Sequence, residues 1–235
     1  MKTVSSLALG AFFSVSLAVA GGSFAQDGHK QGEGATHRHG GGHHHQSFND
    51  PARWSKSFDD PARDAWQKPD DVIRALAIKP DARIADIGAG TGYFTVRLAR
   101  VVPQGVVFAI DVERNMVEHI ASRAKDEGLT NVSGVVASET AANLPGTIDL
   151  ALMVNSYHHI DARVAYMRNL ARSLNPGARI AIIEARPEAN QGPPKHFRFS
   201  VSKIDEEMKA AGFMRVARHD FLPRQNLLVY GREKQ

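Results

Sequence analysis

From residue 83 onward the chain alternates short apolar runs with amphipathic stretches. Runs at 84–87, 106–111, 132–137, 150–155 and 179–184 are bounded by Gly, Pro, Asn or Asp and read as buried strands. Between them, 92–101, 113–127, 161–174 and 202–211 carry apolar residues at helical spacing, the pattern of a helix with one buried face. Strands separated by helices predict a mostly parallel sheet covered on both faces. The last two runs, 214–221 and 226–231, are joined by a brief Pro-containing turn, which predicts an antiparallel pair at the sheet edge. The expected fold is α/β: a doubly wound, mostly parallel seven-stranded sheet with an antiparallel C-terminal edge pair.

Upstream the pattern changes. Ser47-Phe-Asn-Asp-Pro-Ala-Arg53 is followed by a near copy, Ser57-Phe-Asp-Asp-Pro-Ala-Arg63. Each Asp-Pro pair suits a helix start, with Asp as cap and Pro in the first turn. The copies are expected to form two short helical turns leading into a helix at 70–77 capped by Asp70 or Asp71. Residues 47–79 then make an N-terminal helical cover, with Trp54, Phe58 and Trp66 packed on a domain at 80–235. Trp66-Gln67, just before the sheet, either packs on the core or belongs to a lid that closes over a ligand. Residues 26–46 are Gly/His-rich, with too little apolar surface for a core, and are expected to be a disordered linker. Its six histidines suit a divalent metal as well as a plain polar tether. Residues 1–25 read as a signal peptide: Lys2, an apolar stretch over 7–20, then Ser23-Phe24-Ala25 before the cleavage point. The expected destination is export, to the periplasm, with no stable membrane span after cleavage.

Composition narrows the chemistry. The chain of 235 residues is 43% apolar and 23% charged, ordinary values for a globular domain. Its net charge of +4 is spread without a basic stripe, which argues against nucleic acid. With no cysteine, disulfides, thiolate metal sites and a Cys nucleophile are excluded. No G-x-S-x-G nucleophile motif is present.

The most informative stretch is Ala85-Asp-Ile-Gly-Ala-Gly-Thr-Gly-Tyr-Phe94, which leaves a strand and opens a helix. Gly88, Gly90 and Gly92 permit a sharp turn and close approach of backbone to a ligand. Asp111 ends the next strand, where a carboxylate can take both ribose hydroxyls. A dinucleotide site would use G-x-G-x-x-G and a bare helix N-terminus for its pyrophosphate. Here the spacing is G-x-G-x-G, and Asp86 would repel a phosphate. The same carboxylate suits the cationic amino end of S-adenosylmethionine (SAM). An NAD(P)-dependent oxidoreductase is thereby disfavoured.

On these residues the chain resembles the class I SAM-dependent methyltransferases, particularly small-molecule members such as the ubiquinone/menaquinone C-methyltransferases. The resemblance runs from about Trp66 to Gly231 and implies SAM as cofactor and a small-molecule methyl acceptor. It implies contacts to the methionine part from Asp86, Gly88, Ala89, Gly90, Gly92 and Asn155, and to the ribose from Asp111. Ser138 or Glu139, after the third strand, would approach the adenine, and Tyr93 either packs over the ligand or caps the helix.

The reacting end is expected after the fourth strand, in Met153-Val-Asn-Ser-Tyr-His-His-Ile160, because ligands lie beyond the carboxyl ends of parallel strands. Methyl transfer needs alignment, exclusion of water and sometimes removal of an acceptor proton, for which His is suited near neutral pH. His158 and His159, placed on extended backbone, would face opposite ways, so one would reach the acceptor and the other would pack. His196 is a further candidate base at the pocket edge. These three histidines with Glu184 could alternatively bind a metal, but no compact metal-ligand spacing is present and no metal ligand is assigned. A rival reading keeps the fold as an exported binding protein whose His-rich tail handles metal.

Overall fold

The computed structural model describes residues 48–232, and the signal and linker readings of residues 1–46 lie outside them. Seven strands form one sheet: β1 (Arg83–Ile87), β2 (Val106–Asp111), β3 (Val132–Val136), β4 (Ile148–Val154), β5 (Leu174–Ala185), β6 (Phe213–His219) and β7 (Gln225–Arg232). Their order is β3-β2-β1-β4-β5-β7-β6. The first five are parallel, and β7 runs antiparallel between β5 and β6. The order reverses between β1 and β4, which opens a crevice at their carboxyl ends.

Each face of the sheet buries its own apolar layer. One face packs Ile84, Leu150, Leu152, Ile183 and Leu227 against Val72, Leu76, Phe94 and Leu98 of the N-terminal side. The other packs Ile87, Ile110, Met153, Ile180 and Ile182 against Tyr166, Met167, Ile204 and Met208. Among the described residues there are seven α-helices, of which α3, α4, α6 and α7 supply those layers: α1 (Pro51–Phe58), α2 (Asp64–Gln67), α3 (Pro69–Leu76), α4 (Thr95–Val101), α5 (Arg114–Asp126), α6 (Arg163–Leu170) and α7 (Val201–Ala210).

The tandem copies begin helices as their Asp-Pro pairs predict. Asp50 Oδ1 accepts from the Arg53 amide (3.1 Å) at the start of α1. Asp60 Oδ1 accepts from the Ala62 amide (2.8 Å), starting the 3₁₀ turn Pro61–Arg63. The expected cap at Asp70 or Asp71 is corrected. Pro69 occupies the first turn of α3, so the chain turns at Lys68 with φ 44°, and both acids lie inside the first turn. There they face the positive end of the helix dipole.

Two boundaries also differ. The helix expected from Gly92 begins at Thr95, because the glycine turn runs through Phe94. β5 starts at Leu174, not 179: Leu174 pairs with Ile148, the register shifts, and Arg179 pairs with Leu150. Asn175-Pro176-Gly177 forms the irregularity inside the strand.

Candidate active site

The glycine turn is shaped by what surrounds it. Gly88, Gly90 and Gly92 all have positive φ (72°, 57° and 88°). A Cβ on Gly88 would stand 2.4 Å from Ser156 Cβ, so the turn abuts the segment that follows β4. Ser156 Oγ donates to the Ile87 carbonyl (2.7 Å) and fastens the two together. Ala89 is buried between Ala109 and Ile120. Thr91 Oγ1, inside the turn, is buried with no hydrogen-bond partner among the described residues.

Two carboxylates flank the turn. Asp86 is 3% exposed, and its Oδ2 accepts from Thr95 Oγ1 (2.7 Å). Burial pushes its pKa up to about 6, opposed by the Thr95 bond and assisted by the nearby charge of Asp111. Asp111 ends β2: Oδ2 accepts from the Gly90 amide (2.9 Å) and Oδ1 from the Glu113 amide (3.0 Å). Its pKa is also raised by burial, against those amide bonds. Each of its oxygens keeps a second lone pair for a ligand hydroxyl.

Aromatic side chains of the N-terminal segment form a cover against the glycine turn. Phe48, Trp54 and Phe58 stack on one another (centroids 4.8–6.0 Å). A Cβ on Gly90 would meet the Phe58 ring at 3.3 Å. The Phe48 amide donates to Glu113 Oε1 (3.2 Å), and Arg123 binds Asp59 (2.8 Å) and the Thr91 carbonyl (3.1 Å). Trp66 is half-buried beside the Arg224 guanidinium rather than over the turn. Tyr93 belongs to this cover as well. Its hydroxyl donates to Asp64, and its ring lies between the guanidinium groups of Arg63 and Arg97 (3.9 and 4.1 Å). Burial and Asp64 raise its pKa.

Past β4, the extended-backbone expectation for the histidines is corrected. Tyr157–His159 is a 3₁₀ turn, and the two imidazoles lie 4.2 Å apart, tilted by 40°. Their environments still differ sharply. His158 is buried; Glu184 Oε2 lies 2.7 Å from its Nδ1, and Glu184 Oε1 accepts from its backbone amide (3.3 Å). His159 is exposed and meets Phe48 of the cover edge-on at 5.6 Å. Exposed His196 stacks on Phe197 (4.2 Å), whose ring stands 5.6 Å from His158. Tyr157 donates to Glu207 Oε2 (2.7 Å), which Arg163 also binds (2.8 Å), so α6 and α7 clamp the turn.

Asp86, Gly88–Gly92, Asp111, Asn155, His158 and His159 thus gather at the carboxyl ends of β1, β2 and β4. Ser138 and Glu139 are exposed just past β3, with Ser138 bridged to Ala141. Sequence reasoning gave Glu184 only to a metal site; among the described residues no cluster of three or more metal-ligating side chains forms. An acid closing β5 beside a His-His pair was the signal for its pairing with His158. Arg63, Gln67, Arg224 and Gln225 carried no recognisable signal.

A sheet in this order, with an acid-flanked glycine turn after β1 and an antiparallel edge pair, defines a class I methyltransferase fold. The protein is a SAM-dependent methyltransferase, with SAM as cofactor. A methyltransferase-domain family model matches residues 84–177. Among solved structures, a SAM dependent methyltransferase from Aquifex aeolicus superposes with a TM-score of 0.72 at 27% identity, covering 77% of this chain and 97% of that one. The uncharacterized methyltransferase YdaC of Bacillus subtilis (strain 168) is 28% identical over 142 residues, 60% of this chain and 77% of its own. A ubiquinone/menaquinone biosynthesis C-methyltransferase, UbiE of Shewanella frigidimarina, is 26% identical over 116 residues, 48% of this chain. The match spans 46% of that quinone methyltransferase's own length.

The residues present fit SAM. A buried carboxylate without a cationic hydrogen-bond partner, Asp86, awaits an ammonium; Asp111 keeps lone pairs for a diol; and Thr91 Oγ1 is an orphaned polar atom in the turn.

Proposed function

We propose that the chain methylates a small-molecule acceptor at an atom that must lose a proton, such as an acidic hydroxyl, with His158 as the base. Bound SAM supplies a methyl group on a sulfonium already activated for displacement. In this reading Asp86 takes the cofactor's ammonium, Asp111 its ribose, and Gly88, Ala89, Gly90 and Gly92 admit its backbone-side edge. Asn155 borders the methionine part, and Ser138 or Glu139 the adenine. The cover of Phe48, Trp54 and Phe58 excludes water.

The observation that carries the reading is the buried His158–Glu184 pair at 2.7 Å. A carboxylate on Nδ1 holds that nitrogen as the donor, which leaves Nε2 as the acceptor that removes a proton. Glu184 acts through His158 and is a positioning residue. His159 and His196, by contrast, are exposed side chains, and His196 stacks on Phe197. The quinone chemistry of the UbiE relative makes a hydroxylated ring a sensible first acceptor to try. The proposal keeps residues 1–25 as an export signal, which cell fractionation of the intact chain would test.

The experiment is turnover of labelled SAM against a panel of phenols and hydroquinones. His158→Gln should slow it by about a hundredfold while SAM affinity stays within twofold. Glu184→Gln should slow it less and displace the acidic limb of the pH–rate profile. Unchanged turnover in His158→Gln with a confirmed acceptor would remove His158 from the chemistry.

A further inference from the structure

A buried polar chain links the N-terminal cover to Asn155 at the far edge of the crevice, and methyl transfer as described gives no role to its other members. Arg63 Nε and Nη2 donate to Gln67 Oε1 (3.4 and 3.3 Å). Gln67 Nε2 donates to Gln225 Oε1 (2.6 Å), and Gln225 Nε2 to Asn155 Oδ1 (2.7 Å). A guanidinium has donors only, so the Arg63 end fixes the direction of every amide after it. Gln67 must turn its oxygen to Arg63 and its nitrogen onward, and Gln225 must do the same. Both glutamines are almost fully buried (0% and 2% exposed), so a reversed amide would set like atoms against each other with no water to compensate.

The amide nitrogen of Asn155 is therefore the free end, a donor with no other partner among the described residues. Asn155 adopts φ 54°, a left-handed backbone that asparagine tolerates better than most residues other than glycine. It lines a cavity of about 260 Å³ over the ends of β4 and β5 and the start of β7, together with Trp66, Gly192 and Arg224. The Arg224 guanidinium lies 5.2 Å from the centre of the Trp66 ring and pairs with no acid among the described residues. Among the described residues no acidic side chain lines the cavity. The wall thus offers a fixed amide donor and an uncompensated guanidinium beside an aromatic plane.

We infer that this cavity is a carboxylate subsite. A carboxylate accepts through two oxygens, matches a guanidinium and an amide nitrogen together, and supplies the missing countercharge. The volume, below the roughly 300 Å³ at which ligand pockets begin, admits one end of a molecule rather than a whole cofactor. Two molecules can bring that group: SAM, through its methionine carboxylate, or an acceptor that is itself an acid. The first source rests on the cofactor placement proposed above, and the second does not.

The test uses the full chain and two variants, Arg224→Gln and Asn155→Asp. The latter still accepts from Gln225 but places an oxygen where the donor was. Titration calorimetry is run with SAM and with 5′-methylthioadenosine, which lacks the amino-acid part. Saturation-transfer NMR is run with benzoate and benzamide on protein loaded with S-adenosylhomocysteine. If the carboxylate is SAM's, both variants weaken SAM at least tenfold and leave methylthioadenosine within twofold. If it is the acceptor's, both nucleosides bind as before, benzoate but not benzamide gives a signal on the parent protein, and the variants abolish it. Parent-like binding of both SAM and benzoate by the variants overturns the inference. Equal weakening of SAM and methylthioadenosine also overturns it, by showing a general structural effect. Failure of the parent protein to bind either nucleoside would count against the cofactor placement instead, and benzoate on the unloaded protein would then decide the subsite.

Discussion

Replacing Asp86 by Asn should make the cofactor-free protein more stable and the cofactor site worse. Asp86 is 3% exposed and hydrogen-bonded to a neutral hydroxyl, so its charge is held at a cost. Its pKa is raised from 3.8 to about 6. That gap of about 2 pH units corresponds to about 3 kcal/mol at 1.36 kcal/mol per unit. Between pH 4 and 6 the folded chain keeps a proton that the unfolded chain has already lost, so stability falls as pH rises through that window. Above pH 6 the full cost is present. Asn keeps the bond to Thr95 and removes the charge. Melting without cofactor at pH 7.5 should therefore rise by several degrees, up to about 10 °C, given about 2–4 °C per kcal/mol for a domain of this size. The variant should also lack the loss of stability between pH 4 and 6 that this group contributes. Calorimetry should show SAM bound about 10- to 150-fold more weakly, the equivalent of one charge-assisted bond of about 1.5–3 kcal/mol. Methylthioadenosine, without an ammonium, should bind as before. A variant that melts below the parent, or that binds SAM within threefold of it, would refute the argument.

Three further outcomes follow from the same geometry. Asp111→Ala should weaken SAM and methylthioadenosine alike, by at least tenfold in titration calorimetry, because both carry the ribose; an effect on SAM alone would misplace the ribose. Gly88→Ala should sharply lower melting temperature or soluble yield, since its Cβ would stand 2.4 Å from Ser156 Cβ at φ 72°; a parent-like melting curve would mean the turn can move aside. In parent protein, SAM affinity should fall about tenfold per pH unit below about 6 as Asp86 takes up a proton, and this dependence should vanish in Asp86→Asn.

The sheet was legible because each strand is a compact apolar run between breakers, and the antiparallel edge because too few residues separate the last two runs for a helix. The glycine turn and its two acids were legible because local backbone demands and ligand charge are written within a few adjacent residues. What escaped was long-range or context-set. Gln67 and Gln225 are 158 positions apart, and neither looks special until the fold brings their amides within 2.6 Å. The pairing of His158 with Glu184 depends on β4 and β5 lying side by side. The 3₁₀ turn at the two histidines replaced the expected extended backbone because Tyr157 is drawn inward to Glu207. The early start of β5 escaped because the pairing of Leu174 with Ile148 joins residues far apart in the chain.

The way the aromatic cover is fastened leads to an expectation for the release of the spent nucleoside. Phe58 rests against the glycine turn, so with the cofactor placed as proposed, exchange of the nucleoside should shift α1. The fastenings over α5 are few and polar: the Arg123–Asp59 ion pair, a bond from Asn115 to the Asn49 carbonyl, and the Phe48 amide on Glu113. Arg123 and Asp59 are both about a fifth exposed, so dissolved ions reach the pair and loosen it. Added salt should consequently shorten the residence time of the spent nucleoside while leaving the apolar layers beneath intact. Turnover that is gated by this release would then quicken with ionic strength, the reverse of what an enzyme relying on electrostatic capture of its ligand would show.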